Sequence, residues 1–168
     1  VRVGITGHQW LAETAAWDWV REEIGKALTD MPNQLIGLTS LALGTDQLFA
    51  EAILEHGSTY HAIIPFQDYA LKFAEGPDRN GYIRLLNLAA HVETLQKCGT
   101  GREAYFQAGK QVVNRSELLL AVWDGQPAAG LGGTGDVVKY ACLCGKPLIH
   151  LNPVSRTVNK ANFEQVNT

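Results

Sequence analysis

The most constraining feature of the sequence is an unbroken apolar run, Leu118-Leu119-Leu120-Ala121-Val122-Trp123, that stops at Asp124-Gly125. Six residues are too few for a stable helix. With no polar alternation, the run reads as a strand covered on both faces. Such strands belong to parallel sheets, whose crossover connections place helices on either side. The rest of the chain repeats that logic. Val1 to Thr6, Leu35 to Thr39, Tyr60 to Pro65 and Pro147 to Leu151 are short β-rich runs. Between them lie segments with apolar residues at helical spacing, such as Trp17, Val20, Ile24, Ala27 and Leu28.

The expected fold is therefore α/β, a Rossmann-like open parallel sheet of about five strands with helices on both faces. Its 168 residues fit one domain, expected over residues 1–152, with 153–168 as a C-terminal tail. Between Gln67 and Gly101 the alternation weakens. There a helix carrying Tyr82, Leu85, Leu86, Ala89 and Val92 reads as part of a lid or side excursion.

Composition narrows the partners. A formal charge of -3 gives no basic footprint for displacing counterions, so duplex nucleic acid is not expected. No apolar run approaches the roughly 18 residues that span a bilayer, and the N-terminus has no basic-then-apolar leader. Membrane association is not expected, and a cytoplasmic location is. Cys98, Cys142 and Cys144 do not form a disulfide framework and read as buried small residues. His56, His61, His91 and His150 share no metal-ligand spacing, and the sequence calls for neither a metal nor a cofactor.

Open parallel sheets bind ligands beyond the carboxyl ends of their strands, where strand order reverses. Three loops fall at that end: Thr6-Gly7-His8; Ser40 through Gly44-Thr45-Asp46; and Asp124-Gly125 through Gly132-Gly133-Thr134-Gly135-Asp136. In the third, clustered glycines let backbone approach a ligand closely, and a helix begins at Thr134 or Asp136. Its free N–H groups and dipole suit phosphate, although the same residues also serve simply to cap the helix. His8 is either a phosphate donor, a proton-transfer group or a structural hydrogen-bonding residue. Trp123 either stacks on a base or packs the core. Asp124, and with it Asp136, is the candidate catalytic carboxylate should the chain cleave an N-glycosidic bond. The dinucleotide fingerprint is absent, because Gly4-Ile5-Thr6-Gly7 lacks its third glycine and no acidic residue ends the second strand. No Walker lysine follows any of the loops.

Taken in order, four motifs resemble the SLOG superfamily, Rossmann-like nucleotide-sensing domains related to the LOG, or lysine-decarboxylase-like, proteins. They are Val3-Gly4-Ile5-Thr6-Gly7-His8; Ser40-Leu41-Ala42-x-Gly44-x-Asp46; Tyr105-x-x-Ala108-Gly109 leading to Arg115; and the stretch from Ala121 to Ala141 containing Gly132-Gly133-Thr134-Gly135-Asp136. The resemblance implies a nucleotide or nucleotide-derived ligand, including NAD-derived signals. It also implies contacts at Gly7, His8, Ser40, Gly44, Asp46, Asp124 and the Gly132 to Asp136 turn. Homo-oligomers are common in this fold, so one is expected by analogy. Hydrolytic relatives, the phosphoribohydrolases, carry P-G-G-x-G-T-x-x-E with a catalytic glutamate. Here Leu131 replaces the proline, Asp136 the threonine and Lys139 the glutamate. Those departures favour binding over hydrolysis.

Overall fold

In a computed structural model that describes residues 1–162, seven strands form one sheet in the order β4-β3-β2-β1-β5-β6-β7. They are β1 (Arg2–Gly7), β2 (Ile36–Thr39), β3 (Thr59–Ile64), β4 (His91–Thr94), β5 (Leu118–Val122), β6 (Leu148–Asn152) and β7 (Thr157–Ala161). The first six are mutually parallel, and β7 runs antiparallel to β6. Five helices connect or flank them: α1 (Ala16–Thr29), α2 (Thr45–Glu55), α3 (Pro77–Leu88), α4 (Gly101–Arg115) and α5 (Thr134–Leu143). A 3-10 turn at Tyr69–Lys72 precedes α3. The α/β Rossmann-like class is as expected, with two strands more than anticipated.

Two apolar clusters show why the inner strands have near-continuous apolar sequences. On one face, Val3 and Ile5 of β1 and Leu120 and Val122 of β5 pack with Val20, Ile24, Phe49 and Ile53 from α1 and α2. On the other, Leu119 and Ala121 pack with Val112 and Val113 of α4 and Val137 and Ala141 of α5. Successive residues of β5 thus serve opposite layers, as a period of two demands. Fully burying a leucine on each face contributes roughly 1.5–3 kcal/mol per side chain.

The two additional strands are both edges. His91–Thr94 is largely exposed, and every residue of Thr157–Ala161 is exposed. Neither carries the apolar run or alternation by which a buried strand is recognised. Val92, expected on a helix, lies in β4: α3 stops at Leu88, Ala89 is extended, and the Ala90 amide donates to Tyr60 O. After β6, Asn152 Oδ1 accepts from the amides of Val154 and Ser155, turning the chain back into β7. Part of the segment read as a tail is therefore strand, and its last residues, 163–168, lie outside the described residues. Cys98, Cys142 and Cys144 are exposed free thiols, not buried as expected. Cys142 and Cys144 follow the last core residue of α5, Ala141, and the helix end leaves them beyond the packed layer. No helix among the described residues is long and apolar enough to cross a membrane.

Chain order runs outward from β1 through β2 and β3 to β4, then returns through α4 to β5 on the other side of β1. The carboxyl ends of β1 and β5 therefore flank the reversal point, where the crossovers diverge and leave a crevice.

Candidate functional site

A cavity of about 560 Å³ occupies that crevice. His8, immediately after β1, is fixed by its backbone from both sides. Its N–H donates to Val122 O of β5 (3.1 Å), and its carbonyl accepts from the Thr45 amide (3.2 Å) and hydroxyl (2.8 Å) at the start of α2. Thr45 in turn explains Gly7. A Cβ on residue 7 would lie 2.5 Å from Thr45 Cγ2, so only glycine lets β1 and α2 meet this closely.

The His8 ring reaches across to the end of β5. Its Nε2 lies 3.1 Å from the Asp124 amide nitrogen and 3.2 Å from Asp124 Oδ1. These contacts are alternatives set by one proton. A ring protonated only on Nδ1 accepts the amide, whereas a proton on Nε2 is donated to the carboxylate. Burial works against the charge on Asp124, but the Gln126 amide and His8 outweigh it and hold the carboxyl below its ordinary value. Asp124 Oδ1 also accepts from Gln126 N at 3.0 Å. Asp124 thus both borders the cavity and shapes the loop, two roles that the sequence left as alternatives.

Asp46 behaves in the opposite way. Its side chain is buried in the loop joining β2 to α2, where Oδ2 accepts from Ser40 N (2.9 Å) and Thr39 Oγ1 (3.1 Å). Burial nevertheless pushes its pKa up to about 6. Two carboxylates bordering one cavity are therefore displaced in opposite directions, one held ionised and one held partly protonated near neutrality.

The glycine-rich loop closes a third side. Gly132 sits at φ +85°, and a Cβ there would lie 2.5 Å from Arg102 O, so the loop packs against the start of α4 only as glycine. Gly109 plays a similar part within the helices, since a Cβ on it would meet Val137 Cγ2 at 2.7 Å. Gly133 then caps α5, with no side-chain hydrogen bond completing the cap. The Asp136 amide turns back to Gly133 O, whereas the amides of Thr134 and Gly135 have no acceptor among the described residues. Both residues border the cavity. Two residues with unpaired first-turn N–H groups, at the positive end of the α5 dipole, thus line the same space.

Of the residues singled out from the sequence, Thr6, Gly7, His8, Ser40, Asp46, Asp124, Gly132, Gly133, Thr134 and Gly135 border the cavity. Gly44, Thr45, Gly125 and Asp136 are not among its lining residues. Gly44 and Thr45 form the α2 terminus behind Gly7, and Gly125 is an exposed turn residue at φ +83°. Asp136 Oδ2 accepts from Gly132 N at 2.9 Å and staples the glycine loop. Trp123 also lies outside the lining. Its ring packs against the α4–α5 core, and its Nε1 donates to Gln126 O at 2.7 Å.

Several cavity residues carried little signal in the sequence. Tyr69 is buried in an aromatic cluster with Phe66, Phe73, Tyr82 and Tyr105, and both Tyr69 and Tyr105 border the cavity. Burial and the nearby Asp46 charge raise the Tyr69 pKa. Tyr105 opens the Tyr105-x-x-Ala108-Gly109 motif, but its helical spacing is one that a core-facing residue would share. Tyr69 falls in the irregular segment, where no period identifies its direction. Trp10, on the β1–α1 loop, borders the cavity as well. Among the described residues, no lysine or arginine does, and no cluster of three or more histidine, cysteine or acidic residues is arranged to hold a metal.

No family model matches this chain, and no curated protein matches it in sequence. Solved structures do. DNA processing protein A (DprA) from Streptococcus pneumoniae superposes with a TM-score of 0.63 at 15% identity, over 90% of this chain and 50% of that one. DprA from Helicobacter pylori, described as having a single-stranded DNA binding mode, gives 0.62 at 14% identity over 96% and 68%. The molybdenum cofactor (Moco) carrier protein of Chlamydomonas reinhardtii gives 0.53 at 18%, over 92% and 78%. The chain spans half the length of the S. pneumoniae protein. The DprA likeness corrects the partner expectation drawn from net charge. A protein of this fold binds single-stranded DNA, so the absence of a basic footprint for duplex does not exclude nucleic acid as a partner. Counterion release governs duplex binding, whereas single strands also bind through base stacking. At these identities the likeness establishes a shared Rossmann-like fold.

Proposed function

We propose that this chain is a SLOG-type domain that binds a nucleotide or nucleotide-derived ligand, its phosphate held by the Thr134 and Gly135 amides. The observation that carries this reading is the pair of unpaired first-turn N–H groups opening onto a cavity large enough for a mononucleotide. Phosphate accepts charge-assisted hydrogen bonds there without a lysine or arginine. Ser40 and the carboxylate of Asp124 supply polar partners for ribose hydroxyls or base N–H groups. The reading includes a cytoplasmic setting, for which three exposed free thiols are the supporting observation.

A second reading, cleavage of the ligand's N-glycosidic bond, draws on the opposed displacement of Asp124 and Asp46. An ionised carboxylate can stabilise or attack a ribosyl cation while a partly protonated one donates to the departing base. Asp136, engaged with Gly132 N, is a loop residue in this scheme and takes no part in the chemistry.

One experiment tests both. Purified protein is incubated with nucleoside mono-, di- and triphosphates, NAD derivatives and short single-stranded oligonucleotides. Thermal shifts are recorded and the mixtures analysed for free base. A shift with a mononucleotide or NAD derivative and no free base is the expected result. Free base that disappears in Asp124→Asn establishes the enzyme. A shift with oligonucleotides alone, or with nothing, overturns the small-ligand reading.

A further inference from the structure

Trp10 is 72% exposed, although large aromatic side chains ordinarily bury most of their surface. The other three tryptophans are packed. Trp17 and Trp19 lie against the α1–α2 core, and Trp123 packs against the opposite one. Trp10 has no ring partner and no hydrogen bond among the described residues, yet it borders the cavity.

Its loop is held in place on both sides. His8 is bonded through its backbone to β5 and α2, and the Gln9 carbonyl is seated so closely on Gly44 that a Cβ there would lie 2.5 Å from it. Beyond Trp10, Leu11 packs against the α1–α2 core. The indole is therefore presented at the cavity from an anchored loop. Pro127 and Ala128 supply apolar surface to the same cavity. An exposed indole and apolar surface lining the same cavity as two residues with unpaired amides match a ligand that is planar and aromatic at one end and anionic at the other.

We infer that Trp10 is a specificity residue that stacks on the base of the bound ligand, making the site selective for nucleotides over sugar phosphates. This inference rests on the phosphate-binding reading above, and it adds which end of the ligand is recognised and by what. Stacking on an aromatic side chain tolerates different bases, because each offers a π-face. It also explains how a cavity without a basic side chain can gain affinity from the uncharged half of its ligand.

The test compares adenosine and guanosine 5′-monophosphates with ribose 5-phosphate, on the full chain and on Trp10→Ala and Trp10→Phe variants. Trp10 is exposed, so neither substitution disturbs the core. In the unaltered protein the better nucleotide should bind roughly 10-fold or more tightly than ribose 5-phosphate and quench tryptophan emission. Trp10→Ala should lose that advantage and keep its affinity for ribose 5-phosphate. Trp10→Phe should keep most of the advantage and lose the quench. The stacking role is overturned, with the phosphate site left standing, if ribose 5-phosphate binds as tightly as both nucleotides. It is overturned equally if Trp10→Ala weakens all three ligands alike or none of them. Failure of all three ligands to bind the unaltered protein removes the phosphate reading, and the stacking role with it.

Discussion

Two helices, α2 and α5, begin beside the same crevice, each preceded by glycine and carrying an aspartate in its first turn. At α2 the first residue and the aspartate are turned onto the protein, while the amides of Asp46 and Gln47, like the first two of α5, have no acceptor among the described residues. The Thr45 amide and hydroxyl both donate to His8 O, the Leu48 amide donates to Gly44 O, and the Asp46 carboxylate accepts from the loop ahead of it. At α5 the Asp136 carboxylate is likewise turned onto its own loop, but the amides of Thr134 and Gly135 remain unpaired at the cavity. Equivalent glycine-and-aspartate signatures therefore build different things. The first residue of α2 fixes His8, whereas the first residue of α5 keeps its amide unpaired among the described residues. Substitutions at the first should cost stability, and those at the second affinity.

The largest effect is expected at Gly44. Its φ of +74° disfavours any other residue, and a Cβ would lie 2.5 Å from Gln9 O. Backbone strain of about 1–3 kcal/mol and overpacking of similar size give Gly44→Ala a destabilisation of roughly 4 kcal/mol. Urea denaturation monitors it. A loss below about 1 kcal/mol would mean that the α2 loop is pliant and the division between scaffold and binding terminus is wrong.

Asp46 should give the next effect, visible as a pH dependence. Its folded-state pKa of about 6 exceeds the ordinary 3.8, so the folded protein binds that proton more tightly than the unfolded chain. Its contribution to stability is fully present below about pH 4 and is lost as pH rises through 6. A two-unit displacement corresponds to about 3 kcal/mol between those limits. An asparagine side chain at this position retains an acceptor for Ser40 N but does not titrate. The stability of Asp46→Asn relative to the unaltered protein should therefore rise by about that amount from pH 4 to pH 7.5. A pH-independent difference would show that the loop solvates Asp46 as well as water does.

This comparison also shows what the sequence could reveal. The buried strands were legible because an apolar residue is needed on each face, and Leu118 to Val122 has nowhere to place a polar one. The edge strands were not legible, since His91–Thr94 and Thr157–Ala161 pair through backbone and leave their side chains largely exposed. Residues of all three loops line the crevice, but one-dimensional spacing does not tell which amides are already satisfied. Thr45 and Thr134 occupy the same position, N1, of their helices. Only the fold brings His8 O to the first and leaves the second open. Asp136 shows the same limit, because a first-turn aspartate reads alike whether it faces a ligand or staples its own loop. Tyr69 and Trp10 were invisible for another reason: each reaches the cavity from an irregular segment.

The sharpest test of the comparison is therefore Gly135, the second residue of α5. Here φ is not the issue. A Cβ would stand 2.9 Å from Ala128 N and 3.1 Å from Gln126 O, so Gly135→Val presses on the backbone from 126 to 128. That backbone lies in an exposed loop, which shifts more cheaply than the Gly44 turn. The expected stability loss is about 1–3 kcal/mol, below that of Gly44→Ala. The valine side chain, however, stands beside the two unpaired amides and competes with the phosphate for their space. Affinity for a mononucleotide should fall about 30-fold, or roughly 2 kcal/mol, measured by titration at a temperature where both proteins are folded. A variant that lost stability as Gly44→Ala does, with affinity unchanged, would make α5 a second scaffold terminus and leave the phosphate without a site.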